Sequence, residues 1–273
     1  MSPTIFNSKF YKQEIEIYMD KELKQRIQSL ASKYETKDFL PADPSSFMHK
    51  VDGAANREAT AFLASCLSYG SRKQFFPKIQ FIVDAANGEV DHWVRSGEWR
   101  SDIPDTAACY YRLYTFHDMH CLIAAYEKML GEWGSMKAFV AGKAREGVDS
   151  ANSMSVTAIE AVAALCDFFA KNGAGKVVPK NTTSACKRVC MFLRWMVRTG
   201  SPVDLGLWAD IIDRRSLIMP LDTHVVQEAC KMGLLSSRTA SMATARRLTD
   251  AMLEVFPDDP LKGDFALFGL GVE

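Results

Sequence analysis

A chain of 273 residues buries enough apolar surface to fold without disulfide or metal staples, and its length fits one or two domains. Its 33 basic and 33 acidic residues cancel, which excludes a bulk polyanion binder of the arm-and-tail kind, so any nucleic-acid contact must come from a local patch. No stretch approaches the roughly 18 apolar residues of a membrane span and the charged N-terminal region holds no signal-peptide core, so a cytoplasmic protein with no membrane partner is expected.

Leu23, Ile27, Leu30 and Tyr34 recur at helical spacing among charged residues and predict a helix over residues 10–34. The Pro-Ala-Asp-Pro-Ser-Ser stretch at 41–46 reads as a loop. Residues 56–70 predict a helix with a wide apolar face of Ala59, Phe62, Leu63, Cys66 and Leu67, stopped by Gly70. The next helix carries Phe75, Ile79, Ile82 and Val83, and Asn87-Gly88 closes it as a C-cap. Residues 93–114 are aromatic and show no period. Helical periodicity returns at 118–130, 135–144 and 156–170. No segment alternates with period two, so the class is all-α with about ten helices. The seven cysteines, Cys66, Cys109, Cys121, Cys166, Cys186, Cys190 and Cys230, form no CxxC pair and read as reduced, mostly buried thiols.

Between Asp167 and Asp204 there is no acidic residue, whereas Lys171, Lys176, Lys180, Lys187, Arg188, Arg194 and Arg198 supply seven positive charges. On a helix over 184–198, Val189, Phe192, Leu193 and Met196 form the buried face, and Lys187, Met191, Arg194 and Arg198 the opposite one. Such a cationic ridge suits a phosphate backbone, each contact adding affinity through counterion release. A solvated helix face is the plainer alternative. After a turn at Gly200-Ser201-Pro202, a short helix is expected at 205–212. The segment IMPLDTHVVQEACKMG then places Asp222 at the N-cap of a helix with Val225, Val226 and Ala229 inward and Gly233 at its end. Free backbone N–H groups and the helix dipole favour an ionised carboxylate there, as they do at any ordinary cap. Helices over 238–255 and from Asp259-Pro260 onward, the last containing DFALFGLG, complete the chain.

The sequence MPLDTHVV, residues 219–226, resembles the Pro-apolar-Asp-x-His-Val signature of the helix–hairpin–helix (HhH-GPD) DNA glycosylase superfamily, where the aspartate is catalytic. SACKRVCMFL, residues 184–193, is similar to that superfamily's helix carrying the catalytic lysine, and EATAFLASCLSYGSRKQ, residues 58–74, to its early helix and the turn that reaches into the DNA gap. The resemblance runs from Asn56 to the C-terminus. SACKRVCMFLRWMVR, PLDTHV and DFALFGLG together look like a bacterial family of uncharacterised proteins at the edge of the superfamily. Two features depart from the pattern. The Leu-Pro-Gly-x-Gly hairpin is replaced by Val178-Pro179-Lys180-Asn181-Thr182-Thr183-Ser184, without glycine, and the lysine-to-aspartate interval is 35 positions, a length similar to that of archaeal 8-oxoguanine glycosylases.

The resemblance implies two helical subdomains with a cleft between them, one built from 1–50 and 201–273, the other from 51–200 with a degenerate helix–hairpin–helix. It implies a DNA base-excision repair glycosylase with AP lyase activity, best matched to 8-oxoguanine, acting as a monomer on damaged DNA at the nucleoid without a cofactor. Lys187 and Asp222 are its catalytic pair. Cleaving an N-glycosidic bond builds positive charge on the sugar, which a fixed carboxylate stabilises; a neutral lysine amine then attacks the anomeric carbon and forms a Schiff base. Arg188 and the helix start both disfavour the ammonium. Tyr69, Ser71 and Arg72 are wedge candidates, and Pro220, His224, Asp264, Phe265 and Phe268 pocket candidates. Lys180, Thr182, Thr183, Ser184, Arg188 and Arg194 are expected on the DNA backbone.

Two other readings stand beside this one. His117, Asp118, His120 and Cys121, with His92 or Asp149, fit loosely a metal-dependent phosphohydrolase of the His-Asp type. A DNA-binding module that kept the fold and lost the chemistry is the other.

Overall fold

The computed structural model describes residues 19–146 and 155–273. Within them the protein is all-α: twelve α-helices, three short 3-10 segments and one two-stranded hairpin. No described helix is long and apolar enough to cross a membrane.

The first helix, α1 (Lys21–Tyr34), starts where Asp20 accepts a hydrogen bond from the Leu23 N–H at 2.8 Å and turns Ile27 and Ala31 inward. The expected portion before residue 19 lies outside the described residues. The stretch read as a Pro-Asp-Ser loop forms two 3-10 turns, Lys37–Ala42 and Pro44–His49. Asp43 caps the second through the Ser45 N–H, with Pro44 behind it, a start signal that loop-like composition concealed.

Helix α2 (Ala54–Leu67) is the axle of the fold. Every residue from 58 to 67 is buried, which makes α2 a core helix and not an amphipathic one with a single apolar face. Around it pack α3 (Arg72–Ala85), α4 (Val90–Ser96) and α9 (Lys187–Val197). Its one buried carboxylate, Glu58, accepts from Trp208 Nε1 at 2.7 Å and from the Met136 N–H, and burial raises its pKa.

Where residues 93–114 show no period, the structure has two short helices, the second half of α4 and α5 (Trp99–Asp102), followed by strand β1 (Cys109–Tyr111). Strand β2 (Tyr114–Thr115) pairs antiparallel with β1. Thr115 then opens α6 (Phe116–Trp133) through a capping box with Asp118. Helices α7 (Met136–Glu146) and α8 (Ala158–Lys171) follow as the apolar period predicts.

The short helix expected at 205–212 is absent. Those residues run as turns because the Leu205 N–H donates to the Trp195 carbonyl at 2.7 Å and the Trp208 N–H to that of Met196 at 2.7 Å, which ties the segment to the end of α9. Helices α10 (Thr223–Lys231), α11 (Met242–Leu253) and α12 (Lys262–Val272) complete the chain, and α12 lies against both α1 and α10. Two glycines permit that approach. A Cβ at Gly269 would stand 2.2 Å from a Tyr34 ring carbon, and one at Gly271 would stand 2.7 Å from the His224 Cβ.

The largest departure from the sequence reading concerns α9. Arg194 and Arg198 are not an exposed ridge: their relative exposures are 4% and 1%. Arg194 pairs with Asp204 and Asp264. Arg198 forms a bidentate pair with Asp259 at 2.8 and 2.9 Å, and reaches Asp204 and Glu35. Phe265 lies beneath, its ring centroid 4.5 Å from the Arg194 guanidinium carbon and 5.2 Å from that of Arg198. A buried charge without its partner is costly, so Arg198→Ala is expected to destabilise the fold by about 3–5 kcal/mol. Arg198→Lys should restore only part, because an ammonium cannot make the planar double contact. Urea unfolding midpoints check this, and a loss below about 1 kcal/mol for Arg198→Ala would show the cluster to be dispensable.

Candidate active site

Lys187 owes its place to a bend in the backbone. Cys186 takes φ +46°, in the left-handed region, and caps α9 without a side-chain bond, so Lys187 becomes the first residue of the helix. A cation at a helix start sits against the macrodipole, so the position is not one chosen for helix stability. Asp222 is the N-cap of α10. One of its oxygens accepts the His224 N–H at 2.9 Å and the other accepts Lys187 Nζ at 2.5 Å. Burial pulls the Asp222 carboxyl upward, but the Lys187 charge and hydrogen bond and the His224 N–H outweigh it and hold the group below the usual carboxylate range. Residues 35 positions apart thus meet where the N-termini of α9 and α10 converge. Their side chains stay 31% and 19% exposed, so a reagent can reach them.

The pair stands on the wall of a cavity of about 150 Å³ that opens to solvent. Phe39, Tyr69, Phe75 and Phe268 give it aromatic walls, with Pro44, Pro220 and Met191 beside them. Its polar lining is Asp43, Ser68, Arg72, Lys187, Arg194, Asp222, His224 and Asp264, and Gly70 completes it. The Arg72 guanidinium lies 5.8 Å above the Phe268 ring, and His224 meets the same ring edge-on at 6.2 Å. Toward the interior the Arg194–Asp264 pair closes the cavity, both side chains 5% exposed.

The chain belongs to the DUF2400 family. The family model, described as a protein of unknown function, matches residues 43–273. Every residue lining the cavity except Phe39 lies within that span of the DUF2400 chain. No curated protein and no solved structure matches it.

Of the pocket and wedge candidates read from the DUF2400 sequence, Tyr69, Arg72, Pro220, His224, Asp264 and Phe268 line the cavity. Two do not. Ser71 is exposed at the start of α3 and makes no cap bond, and Phe265 is fully buried under the arginine cluster. Asp43, Ser68, Phe75 and Met191 are added by the fold. For Asp43 the only sequence signal was its cap position before Pro44.

The expected phosphate contacts divide. Lys180, Thr183 and Ser184 are exposed and Thr182 partly so, in the turn before α9, where Asn181 Oδ1 accepts both the Thr183 N–H and its hydroxyl. Arg194 is buried and cannot touch a phosphate backbone. Arg188 turns inward, donating to the Cys66 carbonyl at 2.6 Å and to the Tyr114 hydroxyl at 2.5 Å.

The His-Asp set does not assemble. His117 pairs with Asp105, His120 donates Nδ1–H to the Ile103 carbonyl, and Asp118 is held by Thr115 and Lys176. Asp149 lies outside the described residues. Among the described residues no group of three or more His, Cys, Asp or Glu side chains is placed to hold a metal ion.

Asp264 carries the clearest pH signature. Burial pushes its carboxyl up to about 6 against the pull of Arg194, and the nearby Asp204 and Asp222 charges push the same way. A carboxyl raised in the folded state contributes stability that is complete below its unfolded value near ~4 and is lost as pH rises through the folded value. Wild type is therefore expected to lose stability relative to Asp264→Asn from about pH 4 upward, with half of the loss reached near about pH 5 and the rest complete once pH has passed the folded value of about 6. Thermal melts across that range read it, and a difference that does not change with pH would show that Asp264 stays ionised.

Proposed function

We propose that the Lys187–Asp222 pair is the catalytic centre of a DNA glycosylase with AP lyase activity. The observation that carries this reading is the 2.5 Å contact of an accessible lysine amine and a fixed carboxylate beside an aromatic cavity. An extruded base stacks on aromatic walls and is read at its edges by polar groups, and Asp43 and Asp264 supply acceptors there.

In this reading Asp222 faces the sugar and stabilises the positive charge that grows as the glycosidic bond lengthens. As that bond breaks, Lys187 passes a proton by way of Asp222 to the departing base, and the freed amine nitrogen bonds to C1′. The electron pair of the breaking C–N bond leaves with the base, which takes up that proton. Opening of the sugar ring leaves a Schiff base, and loss of the 2′ proton and the 3′ phosphate nicks the strand. Pairing with Asp222 favours chemistry over binding alone, since a carboxylate held against the amine weakens its grip on a phosphate. The 35-residue interval, similar to that of archaeal 8-oxoguanine glycosylases, makes 8-oxoguanine the first substrate to try. A DNA substrate would place the protein at the nucleoid.

Incubation with oligonucleotide duplexes carrying 8-oxoguanine, uracil or an abasic site, followed by borohydride, is expected to give a covalent adduct with wild type and none with Lys187→Gln. Asp222→Asn should slow base release by about 10²–10³-fold. Trapping at the abasic site alone would reduce the activity to that of a lyase. If neither an adduct nor base release appeared on any duplex, the reading would be wrong and the binding module would take its place.

A further inference from the structure

The hairpin of β1 and β2 joins Tyr111 to Tyr114 through two residues, Arg112 and Leu113. Two-residue turns of this kind favour Gly, Asn or Asp wherever φ is positive. Here Arg112 holds φ +52°, and Leu113, at 75%, is the most exposed large hydrophobic side chain among the described residues. Neither residue serves the turn. One is strained and the other places a leucine in water, and such costs persist where a site requires them.

The tip is braced against the cavity rim. Tyr69, which lines the cavity, donates its hydroxyl to the Tyr111 carbonyl at 3.2 Å and accepts the Leu113 N–H at 3.3 Å. The Tyr111 hydroxyl returns a bond to the Tyr69 carbonyl at 2.5 Å. The Arg112 guanidinium lies over Gly70, also on the rim, where a Cβ would meet Nη1 at 2.4 Å. Arg112 and Arg188 each lie within 6 Å of the Tyr69 ring, at 5.6 and 5.5 Å.

We propose that Arg112 and Leu113 form a wedge that enters a DNA duplex beside the nucleotide drawn into the cavity, which makes duplex and not single-stranded DNA the substrate. The inference rests on the glycosylase reading above. An exposed apolar side chain on a stiff support is what unstacks a base step and fills the gap left by an extruded nucleotide. A guanidinium next to it neutralises a flanking phosphate. A single strand has no stack to hold open and no use for the leucine.

The test uses the full chain, with a duplex carrying a tetrahydrofuran abasic analogue beside 2-aminopurine for binding and fluorescence, and duplex and single strands carrying a natural abasic site for the adduct. Wild type is expected to raise the 2-aminopurine fluorescence on binding. Leu113→Asn should abolish the rise, weaken duplex binding on the order of tenfold, and lower the ratio of duplex to single-strand borohydride adduct, with a melting temperature equal to or above wild type. Arg112→Gly, which relieves the positive φ, should melt higher and reduce the salt dependence of duplex binding by about one ion. Wild-type fluorescence and affinity in Leu113→Asn would overturn the wedge and leave the glycosylase reading standing. A fall of several degrees in its melting temperature would also overturn the wedge, by showing that the leucine packs. Failure of wild type to bind the duplex or to form an adduct with any abasic strand would overturn both.

Discussion

The fold turns on two arginines that a soluble helix would ordinarily expose. Arg194 and Arg198 point into the core, and four carboxylates compensate them: Glu35 beyond the end of α1, Asp204 after α9, Asp259 before α12 and Asp264 within it. Burying charges is tolerated only when the partners are all in place, so this cluster fixes α1, α9 and α12 with respect to one another. Lys187 lies about two turns before Arg194 on the same helix, and Asp222 heads α10, which packs on α12. The distance between lysine and aspartate is therefore set by a network that neither of them joins.

Two ion pairs line one cavity, and their chemistry differs in the right order. The inner pair uses arginine, which does not lose its proton, and is shut off from water; the outer pair uses lysine, a compact amine that can give a proton up. Guanidinium inside holds the fold and the amine outside faces whatever enters. The reverse arrangement would put the titratable amine on the buried floor of the cavity and the permanent charge at its more exposed rim. Asp264, pushed up to about 6, is the member of the inner pair whose charge changes first.

Much of the helical framework was legible because apolar residues recur with a period that burial enforces, as in α3, α6, α8 and α10. Lys187 and Asp222 were legible through their resemblance to a known pattern, not through period or charge. The face of α9 was not. A hydrophobic pattern assigns Arg194 and Arg198 to solvent, and nothing local reveals that acidic partners up to 163 positions away neutralise them. The β1–β2 hairpin escaped for a different reason: its tip is Arg-Leu, with none of the Gly, Asn or Asp that marks a two-residue turn. Asp43 was read as part of a polar loop, and only tertiary folding brings it to the cavity.

Those misses share a cause with the site itself. Three non-glycine residues among those described hold positive φ. Asn87 is a residue type that tolerates the left-handed region and ends α3 in the usual way. The other two, Cys186 and Arg112, are poor choices for it, and each adjoins a residue that lines the cavity: Cys186 immediately precedes Lys187, and Arg112 lies over Gly70. Lys187 at the start of α9 breaks a third local rule, that of charge against the helix dipole. Chains that fold well keep local preference and global structure in agreement, except where something other than stability is selected. Three such conflicts around one aromatic, charge-lined cavity, and an ordinary asparagine as the only other left-handed residue described outside glycine, locate that exception here.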